Sequence, residues 1–408
     1  MKKSVGFFLS LFLITNLYSA TLTKKEKEET YKELELFADA LASVQTKFVE
    51  KKSAQELIYG ALEGLLSSLD SYSQFLEPED YQELLVETEG QFGGLGIEIT
   101  LKEGLLTIVS PIEGTPAWKK GLRPGDRIVK IDGELTRGIT LTEAVKKLRG
   151  KPDSEVTITI LREKERRVFD VTIKREIIKI PNIRKKAILE GNVGYLKISE
   201  FRENTPLELE KAIQKLEKKG AKAYIIDLRN NPGGLLESAV RVASLFLEPN
   251  KLVVYTLDRD NNKVEYKSYL SKTHVLDKPL VVLVNEGSAS GSEIVAGALR
   301  DHKRAIILGT KSFGKASVQS VIPLFDGSAL RLTTAKYYTP KGELIESKGI
   351  TPDIYVEEKE IEEKTPKEEE VFEEIEGKKE KEPDFYKKDY QIIRALDLIK
   401  GLLILSNK

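Results

Sequence analysis

Leu280-Val281-Val282-Leu283-Val284-Asn285-Glu286-Gly287-Ser288-Ala289-Ser290-Gly291-Ser292-Glu293 is the stretch on which the architecture turns. Five consecutive apolar residues rich in valine read as a strand buried on both faces, Asn285-Glu286-Gly287 turns the chain, and a helix begins near Ser290. Strand followed at once by helix is the repeating unit of an α/β core. The alternation recurs outward: residues 193–198, 223–228, 252–257 and 305–308 read as short apolar strands, with helices near 236–246 and 290–299. Thr205-Pro206-Leu207-Glu208 starts a further helix, with threonine as N-cap and proline in the first turn.

Both flanks differ from this core. Residues 91–176 alternate strand-like runs with turn residues around one short helix bearing Ala144, Val145 and Leu148, with Thr140 and Glu143 spaced as a capping box. That segment reads as a small, mostly β domain. Residues 21–90 are helical, with Leu34, Phe37, Ala38, Leu41, Val44 and Phe48 at three- and four-residue steps, and residues 31–90 are expected to pack on the core formed by 177–356. Residues 357–383 hold 13 acidic and 6 basic residues among 27, which reads as a solvated, flexible segment. Residues 384–408 end in an amphipathic helix with Ile392, Leu396, Ile399, Leu402 and Leu403 on one face, suited to docking on another helix.

Lys2 and Lys3 precede an apolar run over residues 5–14, and Leu17-Tyr18-Ser19 follows where a signal peptidase could cut. Residues 1–20 therefore read as an export signal, shorter than the ~20 apolar residues that span a bilayer. Export to the periplasm is expected, with a tether to the inner membrane if the signal is retained and only transient membrane contact if it is not.

Three motifs carry chemistry. A serine on the turn at Ser288-Ala289-Ser290 sits where helix N–H groups and the positive end of the helix dipole can stabilise an oxyanion, although a serine there can equally be a helix cap. Phe313-Gly314-Lys315-Ala316-Ser317-Val318-Gln319 opens a strand running to Pro323, on which Lys315, Ser317 and Gln319 share a face. A desolvated, neutral Lys315 could take the serine's proton while Gln319 orients the amine; the same lysine could equally be solvated. Asp227-Leu228-Arg229-Asn230-Asn231-Pro232-Gly233-Gly234 ends a strand with paired glycines whose N–H groups could approach a ligand.

Gly90-Gln91-Phe92-Gly93-Gly94-Leu95-Gly96 leads into a strand rather than a helix, which rules out a dinucleotide fingerprint. A glycine turn before a strand exposes N–H groups that can grip a terminal carboxylate while a peptide pairs with the strand edge. With Gly121-Leu122-Arg123-Pro124-Gly125-Asp126 following, this segment resembles a PDZ domain. The resemblance implies peptide-binding roles for Gly94, Leu95, Gly96 and Ile97, and for Ala144, Val145 and Leu148 across the groove.

Taken together, the motifs closely resemble the carboxyl-terminal processing proteases, or tail-specific proteases, over residues 31–356. The resemblance implies a multidomain α/β (α+β) chain with a crotonase-like catalytic core, an inserted PDZ domain and a helical N-terminal region. It implies a Ser-Lys serine endopeptidase acting on proteins or peptides with free carboxyl ends. Ser290 would be the nucleophile, Lys315 the base (315 − 290 = 25) and Gln319 its supporter (319 − 315 = 4), spacings that match the family. Gly291 N–H with Gly234 or Gly233 would form the oxyanion hole, Gly234 being favoured, and Gly291 stands where the family more usually has alanine. The alternatives are a non-catalytic PDZ scaffold, which would not need Ser290 and Lys315 at matched spacing, and a crotonase-like acyl-transfer enzyme, which export argues against.

Composition narrows the field. Lys plus Arg and Asp plus Glu both number 65, giving no net charge and no general polyanion-binding surface, so nucleic acid is not an expected partner. The absence of cysteine removes disulfides, thiolate nucleophiles and cysteine-ligated metals, and with only two histidines a multi-imidazole metal centre is not expected. No cofactor is expected. His274 reads as part of a polar linker and His302 as part of a charged turn, with His302 the alternative base. The helical termini are candidate contacts for a homo-oligomer.

Overall fold

The structure, a computed structural model, describes residues 24–89, 91–112, 114–179, 181–271, 273, 275–359 and 384–406. The export signal, His274 and all but the first three residues of the acidic segment lie outside the described residues. The chain divides into two units, residues 1–69 and 70–408.

In the first unit, helices Lys24–Lys47 and Ala54–Ser67 carry the expected apolar stripes, and the second begins with a capping box between Ser53 and Glu56. The first buries none of its residues. Among the described residues, no helix is long and apolar enough to cross a membrane.

The second unit is built on a six-stranded sheet in the order Ile183–Leu189, Val193–Ile198, Ala223–Asp227, Leu280–Val284, Ile306–Gly309, Ile354–Tyr355. The first pair is antiparallel and the others are parallel. Successive side chains on a strand point to opposite faces, so the continuous apolar runs serve two cores at once. Tyr224, Ile226, Val282 and Val284 pack with helices Thr205–Lys218, Leu236–Ser244 and Gly291–Asp301, whereas Ala223, Ile225, Val281 and Leu283 pack against helix Tyr390–Ser406. The C-terminal helix therefore docks on a sheet rather than on another helix, because only the sheet offers its Ile392, Leu396 and Ile399 a second apolar face. Thr205 is the first helical residue, not the cap: its hydroxyl donates to the Glu200 carbonyl and accepts from Arg202 N–H.

A second sheet joins Gln74–Leu76, Ala329–Tyr338, Leu252–Asp258 and Lys263–Lys267, with Ser317–Pro323 also paired to Ala329–Tyr338. The chain leaves for the β domain through Gln91–Gly94 and returns through its antiparallel partner Glu176–Lys179. Between them, six strands from Ile97–Lys102 to Arg167–Lys174 close a separate core around Leu106, Ile108, Ile128, Ile158 and Ile160. At its root the buried Arg175 donates to the Leu148 and Lys147 carbonyls, closing the C-terminal end of helix Leu141–Leu148 where a cation is favoured.

Candidate active site

Three loops meet at the carboxyl ends of the parallel strands. After Ala223–Asp227 the chain turns through Asn230 to Gly234; after Leu280–Val284 it turns through Asn285 to Ser290; and residues 310–316 follow Ile306–Gly309. Asn230 N–H donates to Asn285 Oδ1, and Asn285 Nδ2 returns a bond to Asn230 Oδ1. Ser288 Oγ donates to the Leu228 carbonyl at 2.8 Å, Ala289 N–H to the Asn231 carbonyl at 3.0 Å and Phe313 N–H to the Ser288 carbonyl at 3.0 Å. Short polar side chains thus satisfy the turn backbones and lock the loops together.

Ser290 stands at the start of helix Gly291–Asp301 with φ 52° and ψ −111°, a conformation a non-glycine residue adopts only when its surroundings enforce it. It presents its side chain at the positive end of an eleven-residue helix. The enforcing group is Glu293, which is fully buried: its Oε2 accepts from Ser290 N–H at 2.8 Å and Lys315 N–H at 3.0 Å, and its Oε1 from Gly314 N–H at 2.7 Å and Ser312 Oγ at 2.5 Å. Burial pushes this carboxyl upward, and the four hydrogen bonds oppose the shift. Glu293 was not singled out from sequence, although the Ser-x-x-Glu spacing after Ser290 is a helix-start signature that could have marked it.

Ser290, Lys315, Gln319, Gly233 and Gly234 line one cleft of about 430 Å³, together with Tyr337, Arg331, Phe201 and Arg202. Lys315 lies two residues before its strand begins, and its amine sits over the Tyr72 ring, 4.4 Å from the centroid. It is not hydrogen-bonded to the Ser290 hydroxyl, as is common before substrate tightens such contacts. Its pKa is lowered by burial first and by the Arg331 guanidinium second, with Asp70 opposing. Gln319 Nε2 donates to Thr333 Oγ1 at 2.7 Å, leaving Oε1 buried and unpartnered rather than bonded to the lysine.

Gly233 N–H is already committed to Asn231 Oδ1 at 2.9 Å, so it is not free to serve an oxyanion. Its geometry is nonetheless glycine's alone: φ is 106°, and a Cβ there would lie 2.6 Å from Ser290 Cβ and 2.8 Å from Gly291 N. Gly234 follows at φ 135°, its backbone bridged to Phe201. A Cβ on Gly291 would come within 2.9 Å of the Phe201 ring, which accounts for glycine in place of alanine. His302 is at the far end of the helix from Ser290, with Nε2 2.7 Å from the Leu252 carbonyl and no part in the cleft.

In the β domain, among the described residues, strand Ile97–Lys102 pairs only with Leu105–Pro111, so its other edge is open beside helix Leu141–Leu148. Ala144 and Leu148 differ from expectation: both are buried in the domain's own core, because a helix this short must use its inner face to cover the sheet, and the Leu95 side chain joins that core while its backbone stays in the glycine turn. Ile97 and Val145 are half-buried, and Leu141, one turn before Val145, is exposed where the groove needs an apolar surface.

Residues 192–356 match the family described as Peptidase family S41, and residues 107–162 match a PDZ domain. The carboxy-terminal-processing protease of Bartonella bacilliformis is 44% identical over 356 residues, covering 86% of this chain and 81% of that protein. The chain belongs to the carboxy-terminal processing proteases of family S41. This protease is also 36% identical to the carboxy-terminal processing protease CtpA of Bacillus subtilis over 354 residues, 86% of this chain and 75% of that one. A putative S41 protease from Bacteroides fragilis shares the fold, with a TM-score of 0.51 at 17% identity over 83% of this chain and 90% of that one. The protease is accordingly a serine-type peptidase of mixed α/β fold with a PDZ domain, and neither a non-catalytic scaffold nor an acyl-transfer enzyme.

Proposed function

We propose that this protease is an exported, periplasmic endopeptidase that takes protein substrates by their free carboxyl ends and cleaves them with Ser290 as nucleophile and Lys315 as general base. The observation that carries this reading is the single cleft into which Ser290 and a half-buried lysine of depressed pKa both project, their backbones held by one carboxylate. The neutral amine takes the Ser290 proton as Oγ attacks the scissile carbonyl carbon, then returns it to the leaving amine as the C–N bond breaks. Gly291 and Gly234 N–H face the developing oxyanion, since Gly233 N–H is spent on Asn231. Gln319 Oε1, lacking a partner, accepts from the Lys315 ammonium once it is protonated.

The open edge of Ile97–Lys102 supports docking of a substrate tail as an added strand, with its carboxylate at the Gly94-Leu95-Gly96-Ile97 turn. Apolar terminal side chains would meet Ile97, Val145 and Leu141. The helical termini are offered as contacts for a second copy, and the apolar N-terminal segment as the export signal.

The test compares one protein substrate with a free or an amidated terminus, below saturation, using the parent enzyme, Ser290→Ala and Lys315→Ala. Both variants should be inactive yet folded, and amidation should slow the parent about tenfold or more, through loss of a charge-assisted hydrogen bond. An active Lys315→Ala would remove the dyad. Equal rates on both substrates would remove tail selection while leaving the dyad in place.

A further inference from the structure

Among the described residues, five buried side-chain polar atoms lack a hydrogen-bond partner, and four of them belong to residues lining the cleft: Arg202 Nε, Ser317 Oγ, Gln319 Oε1 and Tyr337 Oη. Unpartnered buried groups are rare in native proteins, so their concentration in one cleft marks where a reacting group or a bound chain completes them. Arg202 and Gln319 keep other bonds through the rest of their side chains. Tyr337 has no such second group.

Tyr337 lies near the end of strand Ala329–Tyr338 and is 1% exposed. Its N–H donates to the Ala316 carbonyl at 2.9 Å, which fixes the residue against the chain that carries Lys315. The polar groups acting on its hydroxyl are Ser290, Glu293 and Tyr72, and the approach to Ser290 does not form a well-directed hydrogen bond in the free enzyme. Burial, reinforced by the Glu293 carboxylate, holds the phenol well above its usual range, so it is a neutral donor at any working pH.

We propose that Tyr337 is a positioning residue for the nucleophile, its hydroxyl donating to Ser290 Oγ so that the serine's own proton is turned toward the Lys315 amine. The assignment rests on the Ser290–Lys315 reading. During attack Tyr337 keeps its proton while the serine proton passes to Lys315, and the hydrogen bond shortens as Oγ gains negative charge. A contact that strengthens only on the way to the transition state governs kcat and leaves KM alone.

Tyr337→Phe removes the unpartnered oxygen and keeps the ring that fills the core. On the full chain, kcat should fall about ten- to hundredfold with KM within about twofold of the parent, and labelling by a serine-reactive phosphonate probe should slow in parallel. The melting temperature should hold or rise, because the deleted group is an unsatisfied one. The acidic limb of the pH profile should stay in place, since the groups that tune Lys315 are untouched. A parent-like kcat would overturn the assignment, as would a lower melting temperature with kcat recovered on assay well below it, which would make Tyr337 a packing residue. Ser290→Ala and Lys315→Ala run beside it separate the two readings. If either is active the dyad fails, whereas if both are dead and Tyr337→Phe is fully active only the tyrosine assignment fails.

Discussion

The backbone N–H groups of Ser290 and Lys315 donate to the same atom, Oε2 of Glu293, at 2.8 and 3.0 Å. The proposed nucleophile and base come from loops after two different strands, joined by the Phe313 N–H bond to the Ser288 carbonyl and by this buried carboxylate with four donors around it. Because Glu293 is one turn into the helix that begins after Ser290, helix and serine move together, and the Lys315 loop is referred to both.

Glu293→Gln should therefore cost activity without touching a reacting atom. An amide has one acceptor oxygen where the carboxylate has two, so whichever way it turns its NH2 group confronts two of the four donors, namely Ser290 and Lys315 N–H or Gly314 N–H and Ser312 Oγ. Each donor left buried without an acceptor costs about 1–3 kcal/mol. Steady-state cleavage and thermal melting on the same preparation should show kcat down at least about tenfold and a lower melting temperature. Parent-like values of both would mean that the loops hold themselves.

The pH dependence follows from what surrounds the Lys315 amine. Burial lowers its pKa, Arg331 lowers it further and Asp70 pulls the other way. With the neutral amine as the proposed base, kcat/KM should rise as pH climbs through the depressed pKa and persist on the alkaline side. Arg331→Gln removes a positive neighbour, so the pKa climbs and the acidic limb moves to higher pH. Asp70→Asn removes a negative one while keeping the oxygen that accepts from Tyr72 and Ser73 N–H, and the limb moves to lower pH. Two shifts in the same direction, or none, would show that another group sets the limb.

Sequence made the site legible where strong local signals bracket it. The uninterrupted apolar strand Leu280–Val284, the glycine pair at Gly233 and Gly234 and the short Phe313-Gly314-Lys315 turn place Ser290 and Lys315 at element ends without any knowledge of their contacts. Strand Ile183–Leu189 gave no such signal, because it is the edge of its sheet and carries Arg184, Lys185 and Lys186 toward solvent. Strand Ala329–Tyr338 buries only Ala329 and Tyr337, so it shows neither alternation nor an apolar run, and Tyr337 went unremarked with it. In the β domain the helical period is legible but the buried face is not: Ala144 and Leu148 lie on the stripe that faces the domain's own core. The reach of Arg229 beyond Asp227 is invisible in sequence because those partners, Asp389 and Gln391, are 160 and 162 residues away.

The Arg229 network carries a stability prediction whose size changes with pH. Asp227 is fully buried and accepts from Arg229 Nε at 3.0 Å, Arg229 Nη2 at 2.7 Å and Tyr195 Oη at 2.6 Å, while Arg229 reaches on to Asp389 at 2.7 Å and Gln391 at 2.8 Å beside the C-terminal helix. Burial pushes the Asp227 carboxyl up, but Arg229 outweighs it and the net pKa lies below the ordinary 3.8. A depressed folded pKa means that the parent holds this contribution at any pH above the ordinary carboxylate range and loses it only as pH falls through the folded value. Arg229→Met keeps the volume and the burial but removes the main cation, leaving the buried carboxylate with the Tyr195 hydroxyl, the backbone N–H of residue 229 and the Lys197 amine at 4.0 Å, at a cost of about 3 kcal/mol near neutrality. Its pKa must then rise above the unfolded value, so the variant's native state binds the proton more tightly and regains stability as the medium is acidified. Urea denaturation of both proteins at about pH 7 and about pH 5 should show the gap between them narrowing at the lower pH. Asp389→Asn, which leaves the Asp227–Arg229 pair intact and alters only a partly exposed partner, should cost about 1 kcal/mol at either pH. A gap for Arg229→Met that stays constant or widens on acidification would mean that Asp227 is not charged in the folded parent.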